Sequence, residues 1–119
     1  MKIIHFLRRI KKSFSKYSHS AQVLIFKDNL IHNLNEYRSQ YKEFLFAPVL
    51  KSNAYGHGLL EIAKILSKEK DIPFFVVDSL YEARMLTHHH IDKDILIIGY
   101  TRLSNIKNYN SKRFIFNIF

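Results

Sequence analysis

Cysteine and tryptophan are absent from this chain of 119 residues, and glycine and proline are scarce, with three and two copies. The lack of cysteine excludes disulfides and thiolate metal sites. It agrees with a reducing cytoplasm, where we expect the protein to lie. No apolar run approaches the roughly 20 residues that a membrane-spanning helix requires. With 47% hydrophobic residues, the composition is that of an ordinary globular domain.

Acidic residues are missing from residues 1–20, which carry six basic residues of a chain whose net charge is +9. The remaining 13 basic and 10 acidic residues leave residues 21–119 only mildly basic. Because no groove-reading motif accompanies this charge, we expect no nucleic-acid binding. The first 20 residues place their apolar side chains on one helical face: Ile3, Leu7, Ile10 and Phe14.

This pattern predicts a basic amphipathic N-terminal extension over residues 1–20 and a separate domain over residues 21–119. For the extension we favour a helix packed on the domain or a frayed terminus. Weak attachment to an anionic membrane surface is the alternative.

Strand and helix patterns alternate along the rest of the chain, with short connections. Their unalternating apolar strands are typical of parallel βαβ units in an α/β fold. The pattern alone leaves open an open sheet or part of a (β/α)8 barrel, which needs about 250 residues when complete. Predicted strands cover residues 21–26, 44–50, 74–77, 95–98 and 113–119, and predicted helices cover residues 28–40, 59–68, 80–88 and 103–109.

Three residues refine these boundaries. Asp28 is predicted to cap the first helix with its carboxylate. Ser79 and Glu82 have the spacing of a capping box at the start of residues 80–88. Pro48 is expected to disturb the strand of residues 44–50, because proline cannot donate to a sheet ladder.

Residues 51–58, Lys-Ser-Asn-Ala-Tyr-Gly-His-Gly, are the most informative segment. Lys51 follows a predicted buried strand, at the end where α/β folds place catalytic groups. Apolar Val49 and Leu50 would favour a neutral amine, which is the form that attacks carbonyl groups. Tyr55 offers a hydroxyl, and the helix that starts beyond the turn favours an anion such as phosphate. These features fit pyridoxal phosphate (PLP), and they also fit a lysine that extends from the core into solvent.

The same segment resembles the cofactor-binding signature of alanine racemases, commonly Lys-Ala-Asn-Ala-Tyr-Gly-His-Gly, from which only Ser52 differs. Residues 30–34, 77–83 and 95–99 are also similar to that family. The resemblance covers about residues 21–100. It implies that the parallel βαβ units are the N-terminal half of a (β/α)8 TIM-type barrel.

The resemblance implies an enzyme that uses PLP to interconvert L- and D-alanine, works as a homodimer and supplies D-alanine for peptidoglycan. Lys51 corresponds to the lysine that binds PLP covalently and acts as one of two catalytic bases. Tyr55 corresponds to the tyrosine that binds the cofactor phosphate, and Val49 is expected to line the cofactor pocket. Four further residues of the motif are expected to shape the turn: Asn53, Gly56, His57 and Gly58.

In the family, the second base is a tyrosine on a C-terminal β-domain that the partner subunit contributes. That domain lies beyond the resemblance, so we expect an N-terminal fragment of an alanine racemase that is inactive alone. The alternative is a non-catalytic remnant, or a PLP-binding protein of the same barrel superfamily.

Three consecutive histidines, residues 88–90, raise the question of a metal site, because Asp92 and Asp94 are nearby. Consecutive residues of a helix point in different directions, whereas metal-binding pairs on helices are three or four residues apart. We therefore predict a solvated helix end, where polar and cationic residues suit the helix dipole, and no metal site.

Overall fold

The computed structural model describes residues 21–109 and 111–117, so the predicted extension of residues 1–20 lies outside the described residues. Within the described ranges, no helix combines the length and the apolar character needed to cross a membrane. The elements are, in chain order, α1 (Lys27–Gln40), a left-handed turn (Lys51–Tyr55), α2 (Leu59–Leu66), β1 (Phe74–Val77), α3 (Leu80–His88), β2 (Asp94–Ile97), α4 (Leu103–Asn108) and β3 (Phe114–Phe116).

The three strands form one parallel sheet in the order β1-β2-β3. Their short sequences are rich in the β-branched and aromatic residues that favour strands. Val49 forms a parallel bridge to Val76 of β1, and so extends the sheet beyond β1. Since all four segments run in the same direction, their carboxyl ends meet along one side of the sheet, here called the carboxyl edge.

One face of the sheet is covered by α2 and α3, and this is where the core lies. Phe75, Val77, Ile95 and Ile97 are fully buried there. The helices contribute side chains at helical spacing, and burial of each large apolar side chain stabilises the fold by about 1.5–3 kcal/mol. The helical core residues are Leu59, Ala63 and Leu66 of α2, and Ala83 and Leu86 of α3.

The end of the sheet opposite the carboxyl edge is held by two basic residues. Lys93 Nζ donates to the carbonyl oxygens of Glu69 (2.7 Å) and Ile72 (2.8 Å), just before β1. Arg38 of α1 forms ion pairs with Glu69 (2.9 Å) and with Asp71. Arg38 thus joins α1 to the loop between α2 and β1, and Lys93 joins the segment before β2 to the same loop. These contacts therefore belong to the scaffold rather than to the edge that carries Lys51.

The predicted strand of residues 44–50 is confirmed only at its end. Leu50 N donates to the carbonyl oxygen of Val76 (2.7 Å), and Val76 N donates to the carbonyl oxygen of Pro48 (2.9 Å). Residues 44–48 lie in no strand. Pro48 joins the pairing through its oxygen alone, which does not need the N–H that proline lacks.

Two predictions near the start of the described residues are wrong. Residues 21–26 form no strand, and the apolar side chains of Val23 and Leu24 are exposed. The residue that precedes α1 is Phe26, and it makes no side-chain capping bond. Asp28 instead lies in the first turn, where its negative charge interacts favourably with the helix dipole. The other predicted helices and strands are confirmed, with ends that shift by a few residues. Residues 118–119 of the last predicted strand lie outside the described residues.

Candidate active site

The turn that follows Lys51 has a left-handed backbone. Ser52, Asn53 and Ala54 have φ and ψ near +50°, with φ of 54°, 55° and 51°. Tyr55 continues with φ of 54°, and Gly56 with φ of 86°. A left-handed helical conformation costs about 1–2 kcal/mol for each residue that carries a Cβ. Four such residues in succession are a strained segment, and strain of this kind concentrates at functional sites.

Hydrogen bonds and burial hold this strained segment in place. Ala54 N donates to the carbonyl oxygen of Leu50 (2.8 Å), and His57 N donates to that of Ala54 (3.0 Å). The side chains of Leu50 and Ala54 are only 2% and 5% exposed, so both ends of the turn are fixed in the core. The backbone around Lys51 is therefore determined by tertiary packing.

Asn53 is the centre of the turn. Its carbonyl oxygen accepts from Gly56 N (3.1 Å) and Gly58 N (3.0 Å). Its side-chain Oδ1 accepts from Leu59 N (2.8 Å), which is the first residue of α2. Asparagine tolerates left-handed backbone better than most residues because its short polar side chain bonds locally. The expectation that Asn53 shapes the turn agrees with these contacts.

The three residues predicted to serve the cofactor lie on one continuous segment at the carboxyl edge. Val49 pairs with β1 and is 41% exposed, Lys51 directly follows the paired residues, and Tyr55 is 60% exposed at the end of the left-handed turn. The ion pairs of the described residues involve Arg38 and Arg113 rather than Lys51. An amine and a phenol hydroxyl, four residues apart, are thus available to a ligand at this edge.

The α2 N-terminus is a poorer anion site than the sequence indicates. Its first amide, Leu59 N, already donates to Asn53 Oδ1. Glu61 lies in its first turn and adds negative charge. Because helix N-termini bind anions through free N–H groups, a phosphate at this edge would depend more on Tyr55 than on α2.

The loops after β1 and β2 complete the carboxyl edge. Gly99 N donates to the carbonyl oxygen of Asp78 (2.9 Å), which brings the two loops together. A Cβ at residue 99 would stand far inside van der Waals distance of that oxygen, and 3.1 Å from Asp78 Oδ1. Only glycine allows this approach. Ser79 and Glu82 form the predicted capping box at the start of α3.

The three consecutive histidines occupy a solvated helix end, as predicted. His88 ends α3, and all three histidines are exposed. His90 adopts φ of 59°, the left-handed conformation that commonly follows a helix end. Among the residues that the structure describes, no group of three or more His, Cys, Asp or Glu side chains could hold a metal ion.

Replacement of Asn53 tests how the left-handed turn is stabilised. N53A loses the bond to Leu59 N and places alanine in left-handed backbone, so the free energy of unfolding should fall by about 2 kcal/mol. N53G loses the same bond without the backbone penalty and should cost about 1 kcal/mol. Urea denaturation measures both values, and N29A, on exposed α1, is the control that should change little. Equal losses in N53A and N53G would contradict the backbone argument.

Comparison with known proteins agrees with this geometry. Residues 25–118 match the family model described as alanine racemase, N-terminal domain. The alanine racemase of Borreliella burgdorferi is 39% identical over 88 residues, which are 72% of this chain and 23% of that protein. An amino-acid racemase of Enterococcus faecalis is 43% identical over 83 residues, which are 66% of this chain and 12% of that protein.

Solved structures show the same backbone arrangement. The alanine racemase of Oenococcus oeni superimposes with a TM-score of 0.71 and 26% identity, over 79% of this chain and 24% of that one. The alanine racemase of Clostridium difficile 630, in complex with cycloserine, gives a TM-score of 0.70 and 32% identity, over 77% and 25%.

The comparisons show which part of a larger fold the parallel sheet corresponds to. The chain spans less than a quarter of the length of the curated relatives described above. Its βαβ units are those of the N-terminal part of a TIM-type barrel, as the family resemblance implied. The family match extends over most of the chain and includes the whole segment from Val49 to the end of β3. The chain therefore belongs to the alanine racemase family, within its N-terminal domain.

Proposed function

We propose that this chain supplies the PLP-binding lysine of an amino-acid racemase that acts on alanine. The observation that carries the proposal is Lys51 at the carboxyl edge, followed by a strained left-handed turn that ends in the exposed Tyr55. The residues present fit the cofactor, because PLP needs an amine for its aldehyde and a hydrogen-bond donor for its phosphate. Val49, exposed beside them, would contact the cofactor ring.

In this proposal Lys51 Nζ holds the cofactor and also moves a proton at the substrate α-carbon, while the Tyr55 hydroxyl donates to the cofactor phosphate. When bound, PLP would stabilise the negative charge left on the α-carbon after proton removal. Lys51 can act on one face only, so racemisation needs a second base on the opposite face. The family resemblance assigns that base to another domain, so residues 1–119 alone are expected to bind the cofactor without racemising alanine.

The proposal is tested in two steps. First, the chain is mixed with PLP and reduced with borohydride, and mass spectrometry should find the cofactor fixed to Lys51. Second, residues 25–118 replace the matched segment of the Clostridium difficile alanine racemase, and the chimera should interconvert L- and D-alanine. Labelling without activity in a folded chimera would favour a PLP-binding protein of the same superfamily. No labelling of Lys51 would contradict the proposal.

Three further features remain predictions that rest on the family resemblance: assembly as a homodimer, a location in the cytoplasm, and use of the D-alanine for peptidoglycan. Weak contact of residues 1–20 with anionic membranes remains the alternative to a helix packed on the domain or a frayed terminus. It rests on the six basic residues and the absence of acidic residues in that segment.

A further inference from the structure

Glu82 makes two contacts more than its capping box requires, one to Asp78 N and one to Asn53 N. Its Oε2 accepts from Asp78 N (3.0 Å) and Ser79 N (3.3 Å), and Ser79 Oγ accepts from Glu82 N (3.2 Å). The two bonds between Ser79 and Glu82 form the capping box of α3. Its other oxygen, Oε1, accepts from Asn53 N across a longer 3.4 Å. Glu82 thus joins the loop after β1 to the left-handed turn, 29 residues earlier.

Through the Asn53 N–H, the bond to Glu82 can fix the position of the whole left-handed turn. The carbonyl oxygen and Oδ1 of Asn53 are already used within the turn and at the start of α2. Its N–H is the remaining backbone polar group, and Glu82 is its acceptor. A shift of Asn53 would move the backbone that separates Lys51 from Tyr55.

The surroundings of Glu82 leave its charge available for this contact. It lies in a groove of about 450 Å³ between the starts of α2 and α3. Among the described residues, that groove has no Lys, Arg or His in its lining: Asn53, Leu59, Leu60, Glu61, Ser79, Tyr81, Glu82 and Met85. The carboxylate is therefore balanced by backbone N–H groups, and hydrogen bonds to an ionised acceptor are stronger than neutral ones.

We infer that Glu82 is a positioning residue, which holds the left-handed turn so that the Lys51 amine and the Tyr55 hydroxyl reach one ligand together. The inference rests on the proposed function, since the ligand is PLP. It adds to that proposal a residue that touches neither the cofactor nor the substrate. Glu82 acts through Asn53.

Two substitutions separate this role from helix capping. Glutamine is accepted in a capping box, so E82Q can keep its single carbonyl oxygen on Ser79 N. Its NH₂ group then faces the Asn53 N–H, donor against donor, and the link to the turn is lost. S79A does the reverse, because it removes the hydroxyl that caps α3 and leaves both carboxylate oxygens of Glu82 in place.

The experiment compares the rate at which PLP becomes fixed to Lys51, trapped by borohydride, in the whole 119-residue chain. E82Q should slow this rate roughly tenfold, as expected for the loss of one hydrogen bond to a charged acceptor, with little change in melting temperature. S79A should lower the melting temperature and leave the rate unchanged. Amide exchange at Asn53, Gly56 and Gly58, measured without PLP, should accelerate in E82Q alone.

The outcomes distinguish the two proposals. A wild-type chain that takes up no PLP overturns the proposed function, and the inference about Glu82 with it. If the wild-type chain is labelled and E82Q matches it in rate and in amide exchange, the positioning role is overturned while the proposed function stands. Equal slowing in E82Q and S79A likewise overturns it, because the effect would then follow from helix stability.

Discussion

Racemase activity of the chimeric enzyme is expected to fall by roughly 10³-fold or more when Lys51 is replaced by alanine, since a positioned acid–base group alone contributes about 10²–10⁴-fold. Alanine removes both the amine that would hold the cofactor and the base that would move the α-proton. The measurement is kcat for both directions, together with the amount of PLP that borohydride fixes to the protein. Both kcat and PLP labelling should fall together, because the same amine holds the cofactor and moves the proton.

Two controls accompany this prediction. One removes a lysine at another position, and the other keeps a positive charge at residue 51 but replaces the amine. K64A removes an exposed lysine of α2 and should leave activity and PLP labelling unchanged. K51R keeps the positive charge at the carboxyl edge, but a guanidinium stays protonated and is a poor nucleophile, so it should be as inactive as K51A. Activity of K51A within tenfold of the parent chimera would show that another group does the work of Lys51.

The parts of the fold that sequence could predict are those set by local contacts. The capping box of Ser79 and Glu82 needs only residues three apart, and the structure forms it as predicted. The buried strand Phe74–Val77 likewise has the predicted bounds. Apolar periods and a two-residue capping box are encoded within one element, which is why they can be predicted from sequence, whereas the single residue Asp28 did not place the start of α1 correctly.

The left-handed turn could not be predicted, because its conformation opposes the local preferences of its residues. Ser52, Ala54 and Tyr55 have no intrinsic tendency toward positive φ. Their backbone is set from a distance, by burial of Ala54 in the core and by the Glu82 contact with Asn53. The motif signals a special turn by its composition, but the hand of that turn follows from tertiary contacts.

The failed strand prediction at residues 21–26 has a related cause. An apolar run satisfies the pattern of a strand, but a strand exists only where a neighbour offers a ladder of hydrogen bonds. In the described residues, β1 pairs with β2 on one side and with the Val49 segment on the other, and residues 21–26 pair with neither. The resemblance located the candidate site through the identity of Lys51, Asn53 and Tyr55. The side chains that support these residues had to come from the structure.

Gly99 offers the largest stability effect among the glycines. In G99A the added Cβ would collide with the carbonyl oxygen of Asp78, which is backbone and cannot rotate away. Relief of the clash requires the loops after β1 and β2 to separate, and the Gly99 N–H bond to that oxygen is then lost. Overpacking of this kind costs about 1–3 kcal/mol and the lost bond about 1 kcal/mol. We expect a loss of about 3 kcal/mol in the free energy of unfolding, a large share of the roughly 5–15 kcal/mol that stabilises a domain.

G56A is the matched control, because its cost comes from backbone conformation and not from a steric clash. A Cβ at residue 56 meets no atom within 4 Å, but φ of +86° is unfavourable for alanine. Its cost should be only about 1–2 kcal/mol, from the backbone alone. Urea unfolding followed by circular dichroism measures both variants. A loss in G99A no larger than that in G56A would mean that the two loops separate readily. The carboxyl edge would then be less rigid than the close approach of Gly99 and Asp78 indicates. The backbone that positions Lys51 would be correspondingly less rigid.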